Sequence, residues 1–127
     1  LAEIETPFRV RYRLVGTKLC ELYGADPTGF YIDQLYTPGF RSHVLAAYRN
    51  VVDQGAPFYD EPFFGIFRFR LGYYRLLLPL STDGARVDRV LCGLYPADAR
   101  IGRAQDWRSV DEVRNWLVEE NIGPFLR

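Results

Sequence analysis

Apolar and polar residues alternate from the first positions of the chain. Leu1-Ala2-Glu3-Ile4-Glu5 alternates weakly and runs into the turn signal Thr6-Pro7; Phe8, Val10, Tyr12 and Leu14 then alternate with Arg9, Arg11 and Arg13. Successive side chains of a strand point to opposite faces, so this period of two predicts a first strand in a hairpin with residues 8–15, oily on one face and charged on the other. Glu3 and Glu5 share the arginine face in that hairpin, where opposite charges across strands stabilise modestly. Gly16 breaks the strand. Thr17 then caps a short helix of Lys18-Leu19-Cys20-Glu21-Leu22-Tyr23 by accepting a free backbone N–H, and Gly24 ends it.

Asp26-Pro27-Thr28-Gly29 reads as a turn, and Phe30 to Tyr36 as a short helix or irregular turn. Thr37-Pro38 opens the main helix, with Thr as cap and Pro at the first helical position. Phe40, Val44, Leu45, Tyr48, Val51 and Val52 form one stripe along it, and Gly55 closes it with Pro57 just beyond. Arg41 also falls on the stripe, which the pattern alone does not account for. Two long strands follow. Phe58 to Arg70 is rich in aromatics, and Pro62 within it implies a bulge or an edge position. Tyr73 to Leu80 is almost wholly apolar, as in a central strand covered on both faces. Asp83-Gly84 marks a turn, and Val87 to Tyr95 is the last strand. Beyond Pro96, Ala97 to Asp106 reads as a linker. Ser109 and Glu112 make a capping box for a helix over about 110–120, with an apolar stripe of Val110, Val113, Trp116 and Leu117. Two strands, small helices, one long helix, three strands and an appended C-terminal helix predict an α+β domain, a five-stranded antiparallel sheet with its helices on one face. The domain occupies 1–96; the linker and C-terminal amphipathic helix occupy 97–127.

Composition narrows the function. The 127 residues suit one domain with a core, and 48% are hydrophobic, with 9 Phe and 9 Tyr that either line a cavity or fill it. Net charge is zero, whereas a nucleic-acid binder shows a basic excess for its phosphate contacts. Lys18 is the only lysine among sixteen basic residues, a pattern of GC-rich coding. No apolar run approaches the roughly 20 residues that span a bilayer, so no membrane partner is expected. The chain contains no methionine, which leads us to expect a segment before Leu1. Cys20 and Cys92 sit in apolar patterns far apart, as buried free thiols of a cytosolic protein do. One histidine and two separated cysteines do not group into the four ligands of a structural zinc site. His43 has no sequence pattern linking it to Ser42, Ser81 or Ser109 as a nucleophile, base and orienter set. Phe64-Gly65-Ile66 and Leu71-Gly72 are strand and turn glycines, not phosphate loops. Asp60 and Glu61 read as solvated carboxylates at a strand bend. The chain therefore does not read as an enzyme.

The ordered pieces Tyr12-Arg13-Leu14-Val15-Gly16-Thr17, Leu22-Tyr23-Gly24, Leu77-Leu78-Pro79-Leu80, Asp83-Gly84 and Val87-Asp88-Arg89-Val90-Leu91 resemble a PAS domain, of the kind found in short, stand-alone bacterial sensor proteins. The resemblance covers about Ile4 to Pro96. It implies a sheet whose inner face and long helix enclose a pocket, and a role in sensing or signalling. Some PAS domains hold haem through a histidine of the long helix. At roughly 100° per residue, however, His43 lies more than about 100° from the centre of the apolar stripe, so it reads as a surface or edge histidine. Flavin-adduct photochemistry in this fold uses a cysteine that follows asparagine and precedes arginine and phenylalanine; Cys20 follows Leu19 and Cys92 follows Leu91, so that motif is absent.

With Phe8, Val10, Tyr12 and Leu14 facing inward, Arg9, Arg11 and Arg13 face outward. The same alternation puts Phe67 and Phe69 in and Arg68 and Arg70 out, with Arg75 and Arg89 joining the outer face. That face is either an anion or partner-docking surface or simply solvated and paired with Glu3 and Glu5. The inward set that would line a ligand pocket is Tyr12, Leu14, Tyr36, Phe40, Val44, Tyr48, Phe67, Leu76, Leu78, Cys92 and Leu94. Tyrosine rings with single hydroxyls suit a pocket that orients a small molecule, and serve a dry core equally. Outward-facing Leu77, Leu91 and Tyr95 leave an apolar surface that needs a cover: a preceding segment, the 110–120 helix or a second subunit. The expectation is a cytoplasmic PAS sensory module, homodimeric, answering to a small ligand or a signalling partner protein. The alternative is a ligand-free dimerisation module with a filled core.

Overall fold

The first alternation folds as the expected hairpin. The computed structural model describes residues 1–23, 25–36, 38–66 and 69–96. Strand β1 (Ala2–Glu5) pairs antiparallel with β2 (Arg9–Tyr12), setting Ala2 opposite Tyr12, Glu3 opposite Arg11, Ile4 opposite Val10 and Glu5 opposite Arg9. Directly opposed residues share a face. Ala2, Ile4 and Val10 are accordingly buried on the inner face, while the outer face carries the charges. There Glu3 is itself buried, ringed by the guanidinium groups of Arg11, Arg13 and Arg89.

The chain leaves β2 at one edge of the sheet and re-enters at the other. Helix α1 (Thr17–Tyr23), a 3-10 turn (Ile32–Gln34) and helix α2 (Pro38–Gln54) fill the crossing. The expected turn at Asp26 is an Asx turn, in which the Thr28 N–H donates to Asp26 Oδ1 at 2.9 Å. Gly29 then adopts a φ of +89° that side chains disfavour. Gly55, at φ +59°, ends α2 in the left-handed conformation that glycine tolerates.

The aromatic stretch after α2 is broken at Glu61-Pro62 into β3 (Phe58–Asp60) and β4 (Phe63–Ile66), both antiparallel to β5 (Phe69–Leu80). Proline lacks the N–H that continues a ladder. The sheet thus has five positions in the order β2-β1-β6-β5-β3, where β6 is Arg89–Pro96 and β4 prolongs the β3 position along β5. The expected turn at Leu71-Gly72 is corrected: these residues lie within β5, opposite Phe64 and Phe63, and pairing continues to Ile66 and Phe69. The last strand begins at Arg89, not Val87, because Asp88 is turned to Thr82, accepting its N–H and its hydroxyl. Asp83 organises the same connection by accepting from the N–H groups of Ala85 and Arg86 and from Ser81. The expected helix over about 110–120 lies outside the described residues.

The core lies between α2 with the 3-10 turn and the inner face of the sheet. Ile32, Val51, Leu77 and Val90 have no exposed surface, and Leu35, Tyr36, Val44, Ala47 and Tyr48 pack around them. Val44, Tyr48 and Val51 are the buried members of the stripe read from the α2 sequence, and Leu45 and Val52 pack partly buried against them. Burying each such side chain is worth about 1.5–3 kcal/mol, so this layer supplies the main cohesion of the domain.

One register in β5 overturns part of the sequence reading. Leu77 opposes Cys92 and Phe58, so Leu77 faces inward; Leu76 and Leu78, one residue away on each side, face outward. Leu76 is 40% exposed, and Leu78 lies opposite exposed Leu91. Arg75, expected outside, is buried within. An apolar run such as Leu76-Leu77-Leu78 satisfies either register equally, and a one-residue slip exchanges the faces. The structure predicts that Leu77→Ala costs about 3 kcal/mol in urea unfolding, whereas Leu76→Ala costs under about 1 kcal/mol. Equal costs at the two positions would contradict this register.

Candidate functional site

The side chains of most chemical interest lie where α2 crosses the inner face. Asp60 on β3 and Arg75 on β5 are directly opposed, and their side chains form a bidentate pair, with Arg75 Nε at 2.8 Å and Nη2 at 2.5 Å from the two carboxylate oxygens. Arg75 is buried and Asp60 partly so. His43 on α2 sits above them, exposed at the helix edge, its Nε2 3.5 Å from Arg75 Nη2. Burial and the neighbouring Arg75 charge hold His43 below its ordinary titration range. The reading of Asp60 as solvated is thereby corrected: it is the counter-ion of a buried arginine. A hairpin that puts an acid and an arginine on adjacent strands, 15 residues apart, is the sequence signal that would have found the pair.

A second polar group lies towards β2. The Tyr12 and Tyr36 hydroxyls are 2.9 Å apart; Tyr36 is buried and Tyr12 half-buried. Arg41, on the first turn of α2, donates from Nη2 to the Tyr36 carbonyl at 2.8 Å. Its place on the apolar stripe follows from this bond, since the guanidinium closes the backbone between the 3-10 turn and the helix. Buried Tyr48 lies beside Cys92, whose thiol burial pushes up to about 11. A thiol so held stays protonated at neutral pH and packs as a small apolar group.

Of the eleven side chains expected to line one pocket, the structure brings Tyr12, Tyr36, Val44, Tyr48, Cys92 and Leu94 to the inner layer. Leu14 is 63% exposed, because β2 ends at Tyr12 and the chain turns away before Leu14. Leu76 and Leu78 lie on the outer face for the register reason above. Phe40 is on α2, and Phe67 lies outside the described residues. Arg75 and Asp60 are the inner-layer residues the sequence reading did not place there. Cys20 and Cys92 are free thiols, each partly buried. No group of three or more His, Cys, Asp or Glu among the described residues could hold a metal ion, and no helix among them is long and apolar enough to cross a membrane.

The ion pair makes a quantitative expectation. Asp60→Ala leaves Arg75 buried without a counter-ion and lowers stability by about 3 kcal/mol, whereas Asp60→Val with Arg75→Leu restores most of the loss. Urea unfolding of the single and double variants measures this, and an unaffected single variant contradicts the pairing. Titration supplies a second expectation. The folded state depresses His43, Glu3, Asp33, Asp88 and Asp83, the last to about 2. The unfolded chain binds the extra protons, so these contributions are complete above the unfolded values and are lost as pH falls through the folded ones. Cys92 is shifted upward, from 9.0 to about 11, so its contribution is lost as pH rises through that window. Burial also holds the N-terminal amine below its ordinary 8.0, so the urea midpoint should be highest near pH 8 to 9, begin to fall below pH 8, fall further below the ordinary histidine value of 6.5, then again through the carboxylate range. His43→Gln should remove only the decline that sets in below 6.5; an unchanged profile in that variant would contradict the His43 assignment.

The strand order, with its terminal strands β1 and β6 paired at the centre and one helical layer over the inner face, can be set beside known families. A family model described as the PAS domain matches residues 1–95. No curated protein and no solved structure matches the chain. Three quarters of the sequence and all of the described sheet except Pro96 fall within the match, and the chain belongs to the PAS domain family.

Proposed function

We propose that this domain is a bacterial, cytoplasmic sensory module that takes a small ligand in the layer between α2 and the sheet and reports it through a homodimer formed on the outer face. The family supplies the coarse part: PAS domains are sensory, signalling or interaction modules and are not, as a rule, enzymes. The finer part rests on one observation. Consecutive residues of β5 belong in turn to two surfaces, with Arg75 and Leu77 in the inner layer and Tyr74, Leu76 and Leu80 exposed outside. A shift of β5 that accommodates a ligand inside moves the outer residues with it.

The outer surface has the character of an interface. Tyr59 pairs with Leu76, Tyr74 with Tyr95 and Leu78 with Leu91, so these large apolar side chains form one continuous patch across β3, β5 and β6. Tyr59, Tyr74, Leu76, Leu91 and Tyr95 are all exposed. Contiguous apolar surface of this kind marks interaction sites on soluble domains. A second copy of the chain covers it with matching chemistry at every position, as a twofold interface requires.

Light scattering should give about twice the chain mass of 14.7 kDa, and Leu91→Asp should reduce it to the monomer; a concentration-independent monomer mass for the unaltered chain contradicts the dimer. Native against denaturing mass spectrometry tests the ligand. Additional mass under native conditions supports an occupied inner layer. A bare chain whose Tyr48→Trp variant loses about 1–3 kcal/mol, the cost of overpacking, favours the ligand-free interaction module instead.

A further inference from the structure

We infer that Arg41 is the anchor for a carboxylate ligand, with the carboxylate against its guanidinium and an apolar body in the layer of Tyr36, Val44 and Tyr48. The inference rests on the proposed ligand-binding role and names the chemical class that role requires.

The observation is an orphaned donor. Arg41 Nε is buried and has no hydrogen-bond partner, the only side-chain nitrogen or oxygen among the described residues in that condition. Buried polar groups are satisfied in nearly every native structure, and a charged donor is the costliest to leave unmade. Nor does the guanidinium have a carboxylate partner among the described residues, none of whose acids lies within ion-pair distance of Arg41. Asp33 is near enough to be lowered by the Arg41 charge, yet both Asp33 oxygens accept from Arg9, at 2.8 and 3.1 Å. The contrast with Arg75 is direct, since that buried arginine holds Asp60 in a fork.

Two further features fit an anion at the donors that the bond to Tyr36 leaves over. Arg41 lies in the first turn of α2, which contains no acidic residue. A cation there faces the positive end of the helix dipole, whereas an added negative charge is favoured. The bond to the Tyr36 carbonyl takes one of the two Nη2 N–H groups, so the Nε N–H and the second Nη2 N–H remain as donors. A carboxylate is the acceptor that matches a guanidinium edge with two parallel bonds. The residues alongside set the rest of the ligand. Tyr36, Val44 and Tyr48 are buried and apolar along their bodies, and the Tyr12–Tyr36 hydroxyl pair adds one polar point. This describes a small monocarboxylate with an aromatic or aliphatic body.

The test uses the full chain with benzoate as probe, benzamide as its uncharged isostere and inorganic phosphate as a second anion. Thermal unfolding is followed at rising concentrations, and the purified chain is weighed by native mass spectrometry. The expected result is a saturable rise in Tm with benzoate, absent with benzamide and with phosphate. Arg41→Met should abolish the rise, and Arg41→Lys, which keeps the charge but not the fork, should weaken binding tenfold or more. Circular dichroism establishes that each variant is folded; if Arg41→Met does not fold, the Arg41→Lys comparison decides. No rise with benzoate, an equal rise with benzamide, a rise with phosphate alone, or a rise retained in Arg41→Met each overturns the inference. Failure of the broader role is distinguishable. Extra native mass that persists in Arg41→Met leaves a ligand-binding sensor standing and removes Arg41 as its anchor, whereas a bare chain with no response to any probe removes both.

Discussion

The structure depends on one geometric constraint: side chains along β5 must alternate between two faces. β5 pairs with β3 and β4 on one side and with β6 on the other, so its register is shared by most of the sheet. With Leu77 inward, Phe58 and Cys92 follow inward beside it, and Arg75 is carried in with Asp60 and Leu94. Tyr74, Leu76 and Leu78 are then committed to the outer face with Tyr59, Leu91 and Tyr95. A slip by one residue would expose Leu77 and bury Leu76, and would leave Asp60 facing away from the α2 side.

Within that constraint the Asp60–Arg75 pair has a particular standing. Hydrophobic pressure alone does not distinguish Leu76 from Leu77. A buried arginine does distinguish them, because only one register supplies it with a carboxylate opposite. Buried ion pairs are weak sources of net stability, and an apolar pair of similar volume often serves as well. The pair is better understood as fixing which face of β5 meets α2, at a point where His43 reaches over from the helix. At the far end of the layer, Glu3 performs a related service for the β1–β2–β6 corner by gathering Arg11, Arg13 and Arg89 on the outer face.

What the sequence made legible follows the same physics. The hairpin of β1 and β2 was readable because apolar and charged residues alternate there, weakly in β1 and clearly in β2, and the paired faces match that alternation. Helix α2 was readable from its stripe and from Pro38 and Gly55 at its ends. The Asp26 and Asp83 turns were readable because carboxylates that accept from nearby backbone N–H groups have a local signature. β5 was not, since an unbroken apolar run contains no period of two, and the usual preference of arginine for water pointed Arg75 the wrong way. Leu14 was assigned inward by extending the alternation past the point where β2 ends. Arg41 was visible as an anomaly on the helix stripe, and only the geometry around Tyr36 and Asp33 gives the anomaly a meaning.

Membership of the PAS family supplies a sensory or interaction role, and the proposed mechanism adds a route. The inner layer and the outer patch are two sides of the same three strands, so a change of packing under α2 reaches the outer face with no intervening element. The most direct measurement of that claim is the dimer dissociation constant, by sedimentation equilibrium, of the unaltered chain and of a folded Asp60→Asn variant. Asp60 faces the inner layer and makes no part of the outer patch. The account predicts a dissociation constant shifted tenfold or more, about 1.4 kcal/mol transmitted through β3 and β5. An unchanged dissociation constant in the folded variant would contradict it.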